Sequence, residues 1–152
     1  GGSSAGIEAA IERIRIMAHA EAGADGKPLA SDPAFMRRFS DTKIALEAIT
    51  VTEQRVASAL AGGQNPGAAS SMLKTARTEM VQRIDTLGIE AAGLYGNVDQ
   101  MAARQPGSNA EPVGPSHSLT AMPRYLNNRA ASIYGGSNEV QRNVMAKLLL
   151  QL

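Results

Sequence analysis

The chain of 152 residues carries 15 Lys and Arg against 14 Asp and Glu, which gives a formal net charge of +1, and it contains no Cys. This balance, without a basic stripe interleaved with aromatic residues, argues against nucleic acid as a partner, and the lack of Cys excludes disulfides and thiol nucleophiles. No apolar run approaches the roughly 20 residues that cross a bilayer. We therefore expect a soluble, cytoplasmic protein without a membrane span, and two widely separated His residues indicate no metal site.

Hydrophobic residues make up 43% of the chain but aromatic residues only 3%. The core must therefore consist of Ala, Ile, Leu, Val and Met, a mixture that favours packed helices over a sheet. We predict an all-α fold, namely an antiparallel up-and-down four-helix bundle with an extra C-terminal helix. Residues 1–152 are expected to form one such domain.

Three long amphipathic helices are predicted from apolar residues at steps of three and four. The first covers about residues 5–22 and ends in the AGADGKP turn. The second opens with Ser31, Asp32 and Pro33, in the cap-then-proline order of a helix start, and ends at Gly62. The third follows Pro66 and ends near Gly93.

The last third of the chain is predicted to be less regular. Residues 93–117 are rich in Gly, Pro, Asn and Ser, which is typical of a long loop. Leu119–Ile133 is predicted to be helical, with a bend or a start at Pro123, and Glu139–Leu150 to be the last helix. Between them lies a break at Gly135 and Gly136, where Ser137 or Asn138 can cap the next helix and its free N–H groups suit an anion. On the residues alone, an ordinary turn between two helices is the simpler interpretation.

The whole stretch from Ile133 to Lys147 reads IYGGSNEVQRNVMAK and closely resembles the signature of the acyl-CoA dehydrogenase family. RYLNNRAAS before it resembles the family's approach to the motif, with Arg129 in the matching region, and GKPL at 26–29 resembles its G-K-P-I/L turn. The resemblance implies the C-terminal helical domain of such an enzyme, with the N-terminal helical and middle β domains absent from this chain. Without that β domain, the 152 residues alone are expected to bind no flavin.

The resemblance implies α,β-dehydrogenation of an acyl-CoA thioester, with FAD as the hydride acceptor. It further implies reoxidation by an electron-transferring flavoprotein, and a homo- or hetero-oligomer, dimer or tetramer, that shares the flavin at a subunit interface. The chain looks most like bacterial pimeloyl-CoA and steroid side-chain dehydrogenases, some of which pair an active with a degenerate subunit. The alternative is therefore a non-catalytic partner subunit or assembly module.

The resemblance also assigns roles to individual residues. Those implied to bind the cofactor are Ser137, Asn138, Glu139, Glu90 and Gly93. Those implied to bind the substrate are Tyr134, Gly135 and Gly136. Glu90 and Gly93 belong to EAAGL, which aligns with a family segment that contacts the FAD of a neighbouring subunit, although a plain helix end explains Gly93 at least as well.

Two departures from the family pattern matter. Gly135 occupies the position where many relatives carry the catalytic Glu, and a glycine cannot abstract a proton. Similarity to the isovaleryl-CoA and long-chain enzymes implies a base at or upstream of Gly1, whereas Glu8 and Glu12 are more simply exposed helix residues. AGADG at 22–26 replaces the family's Arg-x-x-Phe-Gly, whose arginine meets the FAD phosphate. Arg37 or Arg38 is the candidate substitute, although each is more simply a solvated helix residue.

Overall fold

A computed structural model describes residues 4–151, which form five α-helices connected by turns and short 3₁₀ segments. The helices are α1 (Ser4–Ala20), α2 (Pro33–Ala61), α3 (Ala68–Ala92), α4 (Ala121–Asn128) and α5 (Asn138–Leu150). The all-α prediction is confirmed. Residues 1–3 and 152 lie outside the described range.

Helix α3 is the centre of the molecule, because it packs against each of the other four helices. The core forms where α1, α2 and α3 meet, and its large members come from one face of each helix, as the apolar spacing predicts. Those members are Ile7, Ile11, Ile14, Met17, Phe35, Phe39, Leu46, Met80, Ile84 and Leu87.

Local signals define the start and end of α2. The Asp32 carboxylate accepts a hydrogen bond from the Ala34 N–H at 2.9 Å, and Pro33 is the first helical residue. The helix ends at Gly62, as predicted. Its fully buried residues all lie between Phe35 and Leu46, so its second half is less deeply packed than its first.

Helix α1 ends at Ala20, two residues before the predicted end. The chain then turns back on itself: the Gly23 N–H donates to Lys27 O at 2.7 Å, and the Leu29 N–H donates to Glu21 O at 2.9 Å. These bonds replace further helical bonds, so the GKPL segment closes a tight turn beside the end of α1.

The predicted loop at 93–117 contains 3₁₀ segments at Gly93–Asn97 and Ala102–Arg104. It is closed by the buried Gln100 side chain, whose Oε1 accepts from the Val113 N–H at 2.7 Å and whose Nε2 donates to Val113 O at 3.0 Å. Within residues 4–151, no helix is both long and apolar enough to cross a membrane. The same residues contain no group of three or more His, Asp or Glu side chains placed to hold a metal ion.

The prediction of one helix over Leu119–Ile133 is wrong in its extent. The α-helix covers only Ala121–Asn128, with 3₁₀ segments at Ser116–Thr120 and Arg129–Ser132. The side-chain amide of Gln82 on α3 donates to the carbonyl oxygens of Asn128 and Arg129 at 3.0 and 3.3 Å. Carbonyl groups that a continuing α-helix would use are thus bonded to α3, and the helix tightens and ends there.

Candidate functional site

The Gly135–Gly136 turn is an exposed stretch of backbone between α4 and α5. Both residues have positive φ, +68° and +83°, a conformation that glycine adopts without steric cost. No atom lies within 4 Å of the place where a Cβ of Gly135 would stand, whereas a Cβ on Gly136 would lie 2.6 Å from Gln141 Nε2. Tyr134 beside the turn is 55% exposed. The turn therefore offers open backbone to a ligand on the Gly135 side.

Helix α5 begins directly after this turn. The Ser137 hydroxyl caps it by accepting a hydrogen bond from the Val140 N–H at 3.3 Å, which confirms one of the two predicted caps. The pKa of Glu139 is lowered, first by a hydrogen bond from its own backbone N–H and then by the Ser137 hydroxyl, with smaller contributions from Arg142 and Lys74. Glu139 is thus held as a carboxylate at the positive end of the helix dipole.

Asn138, the first residue of α5, is only 3% exposed and is held by α3. Its Oδ1 accepts from Lys74 Nζ at 2.9 Å and from Thr78 Oγ1 at 3.0 Å. Lys74 Nζ also lies 3.4 Å from Ala131 O, so one side chain contacts the chain on both sides of the Gly135–Gly136 turn. Among the residues assigned to the cofactor, Asn138 therefore has a structural anchor that is independent of any ligand.

Two further polar residues of α3, Gln82 and Asp85, contact the end of α4 and the residue after it. Asp85, which is 7% exposed, accepts from Asn128 Nδ2 at 2.7 Å. Arg129 donates to Gln82 O at 3.0 Å while its guanidinium lies 4.5 Å from the centroid of the Tyr125 ring. We call the row of Lys74, Thr78, Gln82 and Asp85 the polar seam. It holds residues 128–138 in place, and the sequence analysis missed it, although polar residues at positions 74, 78, 82 and 85 follow helical spacing.

A second concave surface lies at the other end of α3. A groove of about 430 Å³ is lined by the end of α1, the following turn and the end of α3: Glu21, Ala22, Gly23, Ala24, Leu29 and Glu90 to Tyr95. It brings together the AGADG and EAAGL segments that the family resemblance singles out. Gly93 forms the C-cap of α3 with φ +56°, so the plain helix-end role holds. Leu94, 87% exposed, provides an apolar wall.

Both carboxylates of this groove have a basic side chain nearby. The Glu90 carboxylate forms an ion pair with Arg38 of α2, and Glu21 lies 2.8 Å from His117 Nε2. Of the two predicted substitute arginines, Arg38 contacts a groove residue, Glu90, while Arg37 is exposed and makes no ion pair with the described residues. The carboxylates of Glu90 and Glu21 can still accept hydrogen bonds from ribose hydroxyls. Among the residues that line the groove, none is an unpaired cation that could bind a pyrophosphate.

The two surfaces are separate. Thr78 contacts the start of α5 and Glu90 lines the groove. Twelve residues along one helix correspond to about 18 Å at 1.5 Å per residue. The residues assigned to cofactor and substrate therefore fall into two groups, at the turn and in the groove.

No carboxylate replaces the missing catalytic Glu at the turn itself. Gly135 has no side chain, and Glu139 lies on the first turn of α5. Glu8 and Glu12 are exposed on α1, and hydrogen bonding to Arg15 lowers the pKa of Glu12. An exposed, ion-paired carboxylate is the opposite of the desolvated base that proton abstraction requires.

The described residues thus form an all-helical domain that exposes a glycine turn before its last helix and a groove toward the opposite end of α3. The model of the "Acyl-CoA dehydrogenase, C-terminal domain" matches residues 2–150. The chain therefore belongs to the acyl-CoA dehydrogenase family and corresponds to its C-terminal domain. A search of curated protein sequences finds no match.

Solved structures share this fold at low sequence identity. The ChsE4-ChsE5 complex from Mycobacterium tuberculosis has a TM-score of 0.75 at 22% identity, over 99% of this chain and 36% of that one. Butyryl-CoA dehydrogenase from Megasphaera elsdenii gives 0.73 at 21%, over 95% and 33%. The FAD complex of PigA gives 0.72 at 21%, over 96% and 33%. The chain thus spans about a third of the length of these structures.

Proposed function

We propose that this chain is the C-terminal domain of a cytoplasmic, FAD-dependent acyl-CoA dehydrogenase that acts on acyl-CoA thioesters. The observation that carries the proposal is the Gly135–Gly136 turn, open on its Gly135 side and fixed to α3 through Asn138. Bound FAD supplies the acceptor for the hydride that leaves the β-carbon. An electron-transferring flavoprotein is the proposed acceptor of the electrons.

The residues at the turn fit a flavin and a thioester. Two consecutive glycines with positive φ carry no side chains, and the open space beside Gly135 allows a ligand to approach the backbone closely. Tyr134 can cover the ligand because its side chain is about half exposed, and the start of α5 presents the N–H group of Asn138. In this proposal the residues of the turn bind and orient, and the base comes from upstream of Gly1.

The groove fits the adenosine part of a second FAD better than its pyrophosphate. Glu90 and Glu21 can accept hydrogen bonds from ribose hydroxyls, and Leu94 offers an apolar face. Because the groove and the turn lie about 18 Å apart on α3, we propose that they serve two flavins in a homo- or hetero-oligomer. That arrangement supports an oligomerisation role for the domain.

Two observations favour the alternative, a non-catalytic partner subunit. Gly135 provides no base, and Arg38 is already bound to the carboxylate of the groove residue Glu90 through their ion pair. One of the similar structures is a complex of two different chains, ChsE4 and ChsE5, by its title. A degenerate subunit would keep the fold and the interface while the partner carries the chemistry.

The visible spectrum of the subunit that contains this chain separates the two functions. It is recorded with the subunit alone and with a co-purified partner, before and after anaerobic addition of a panel of acyl-CoA thioesters. A flavin band that bleaches with one thioester in the subunit alone supports the dehydrogenase. A bleaching band that appears only with the partner supports the degenerate subunit, and no flavin in either sample contradicts both.

The groove assignment has its own test in the same flavin-loaded subunit. Glu90→Gln replaces the charged acceptor proposed for a ribose hydroxyl with a neutral amide, so we expect FAD to dissociate faster. Glu79→Gln is the matched control, because Glu79 forms an ion pair with Arg142 elsewhere on α3. Equal FAD release from both variants would contradict a cofactor role for the groove.

A further inference from the structure

A cavity of about 200 Å³ opens between α1, α3 and the segment from His117 to Arg124. It shares no lining residue with the groove or with the Gly135–Gly136 turn. Its floor is apolar and well packed, formed by Ile14, Met17, Ile84 and Ala121, all at most 9% exposed. The cavity therefore lies outside the surfaces that the proposed function uses.

Two of the polar residues that line this cavity are arginines. Arg13 of α1 and Arg124 of α4 both line it, and neither has a hydrogen bond or an ion pair with the residues that the structure describes. Partial desolvation lowers the pKa of Arg13, and the positive charge of Arg124 lowers it further. The two guanidinium groups are thus close enough to repel each other.

The other titratable groups of the cavity do not neutralise this pair. Asp85 is attracted to Arg124 and Arg129, but one carboxylate against two lining guanidiniums leaves the cavity positive, and one of its oxygens already accepts from Asn128. His117 Nε2 lies 2.8 Å from a carboxylate oxygen of Glu21. An anion placed between Arg13 and Arg124 would remove their repulsion.

We propose that this cavity binds a small amphiphilic monocarboxylate, with its carboxylate between Arg13 and Arg124 and its chain on the apolar floor. The guanidinium fork matches the two oxygens of a carboxylate. A cavity of about 150 Å³ accepts benzene, so this one holds a chain of about six carbons. A dianion fits less well because Asp85 also faces the ligand.

The probe is sodium hexanoate, titrated into the 152-residue chain and followed by NMR shifts of the Ile14, Met17 and Ile84 methyl groups. We expect saturable shifts with a Kd of about 1 mM, a reasonable value for so few atoms. Hexanol lacks the charge and acetate lacks the chain, so each should bind at least about tenfold more weakly. The measurement needs neither flavin nor turnover, so its failure leaves the dehydrogenase proposal intact.

Three variants test the role of the arginines. Arg13→Gln and Arg124→Gln should each raise the Kd for hexanoate about tenfold through loss of a charge-assisted hydrogen bond. Both residues are exposed, so the fold should be kept, which far-ultraviolet circular dichroism can check. Arg55→Gln, at an exposed site on α2, should leave the Kd unchanged.

Three results would overturn the proposal. Hexanol binding as tightly as hexanoate would mean that the arginines do not recognise the ligand. Phenyl phosphate binding more tightly than hexanoate would contradict the monocarboxylate assignment. Absence of saturable shifts at the three methyl groups would show that this cavity holds no such ligand.

Discussion

Gly135 and Gly136 share a left-handed backbone but differ in their surroundings, so substitutions at the two positions should have different costs. Gly135→Ala meets no neighbouring atom and should lower the free energy of unfolding by about 1 kcal/mol for the positive φ alone. Gly136→Ala also displaces the Gln141 side chain, whose Nε2 donates to Gly135 O at 3.3 Å. It should cost a further 0.5 to 1 kcal/mol, roughly one hydrogen bond. Urea unfolding of both variants measures the difference.

A Gln141→Ala background provides the control for this comparison. With the amide removed, a Cβ at Gly136 no longer meets Gln141 Nε2. The two alanine variants should then cost the same amount in free energy of unfolding. A difference that persists in that background would show that contacts other than Gln141 constrain the turn.

At the scale of elements, the polar seam should control how firmly α5 is attached to α3. Asn138→Ala removes the acceptor that Lys74 Nζ and Thr78 Oγ1 share, so these donors keep only their bonds to Ala131 O and Thr75 O and two hydrogen bonds between α3 and α5 are lost. We expect a loss of about 2 kcal/mol in the free energy of unfolding. We also expect faster amide hydrogen exchange in the first turn of α5.

Two further variants test whether the loss of stability is specific to the Asn138 side-chain acceptor. Asn138→Asp keeps an acceptor oxygen and faces the Lys74 ammonium, so it should retain most of the stability. Asn127→Ala, at an exposed position on α4, should change the free energy of unfolding by less than about 0.5 kcal/mol. An equal loss for the Asn127 and Asn138 alanine variants would contradict the anchoring role of Asn138.

The elements also show what the sequence could predict. The start of α2 was predictable because Asp32 and Pro33 act within one turn, and the Ser137 cap for the same reason. The extent of α4 was not, because the carbonyl groups that end it are bonded to Gln82, 46 residues earlier in the chain. Helical spacing shows that residues share a face but not what that face contacts.

The same distinction between local signals and contacts over long sequence distances applies to the candidate site. The order of residues in IYGGSNEVQR was enough to predict the Gly135–Gly136 turn, since a motif is local. The meeting of the 22–24 and 90–95 segments was not predicted, because it depends on how the end of α1 packs against the end of α3. The Glu90–Arg38 pair depends on the packing of α2 against α3, which no local pattern contains.

For the molecule as a whole, the central position of α3 means that one helix supports the turn, the groove and the cavity. Lys74 and Thr78 reach the turn, Ile84 and Asp85 line the cavity, and Glu90 lines the groove. A change in the packing of α3 should therefore affect all three surfaces together. Asp85, buried midway, is the titratable group through which pH acts on that packing.

Burial raises the pKa of Asp85 above its ordinary value, and the Asn128 hydrogen bond and the charges of Arg124 and Arg129 only partly oppose this effect. An acid with a raised pKa binds its proton more tightly in the folded state than in the unfolded state. The contribution of Asp85 to stability is therefore highest below the unfolded-state value of 3.8 and falls as pH rises through the folded-state pKa.

Asp85→Asn removes this titration while its side-chain oxygen can still accept the hydrogen bond from Asn128. We expect the free energy of unfolding of the variant, relative to the wild type, to increase as pH rises from about 4 toward neutrality. Urea unfolding of both proteins across that range measures the difference, in which the other carboxylates cancel. Asp41→Asn, at an exposed site on α2, controls for the loss of one negative charge. If the wild type instead gained stability over Asp85→Asn with rising pH, the attraction of Arg124 and Arg129 would outweigh desolvation, and Asp85 would act as a stabilising counter-ion at the centre of the bundle.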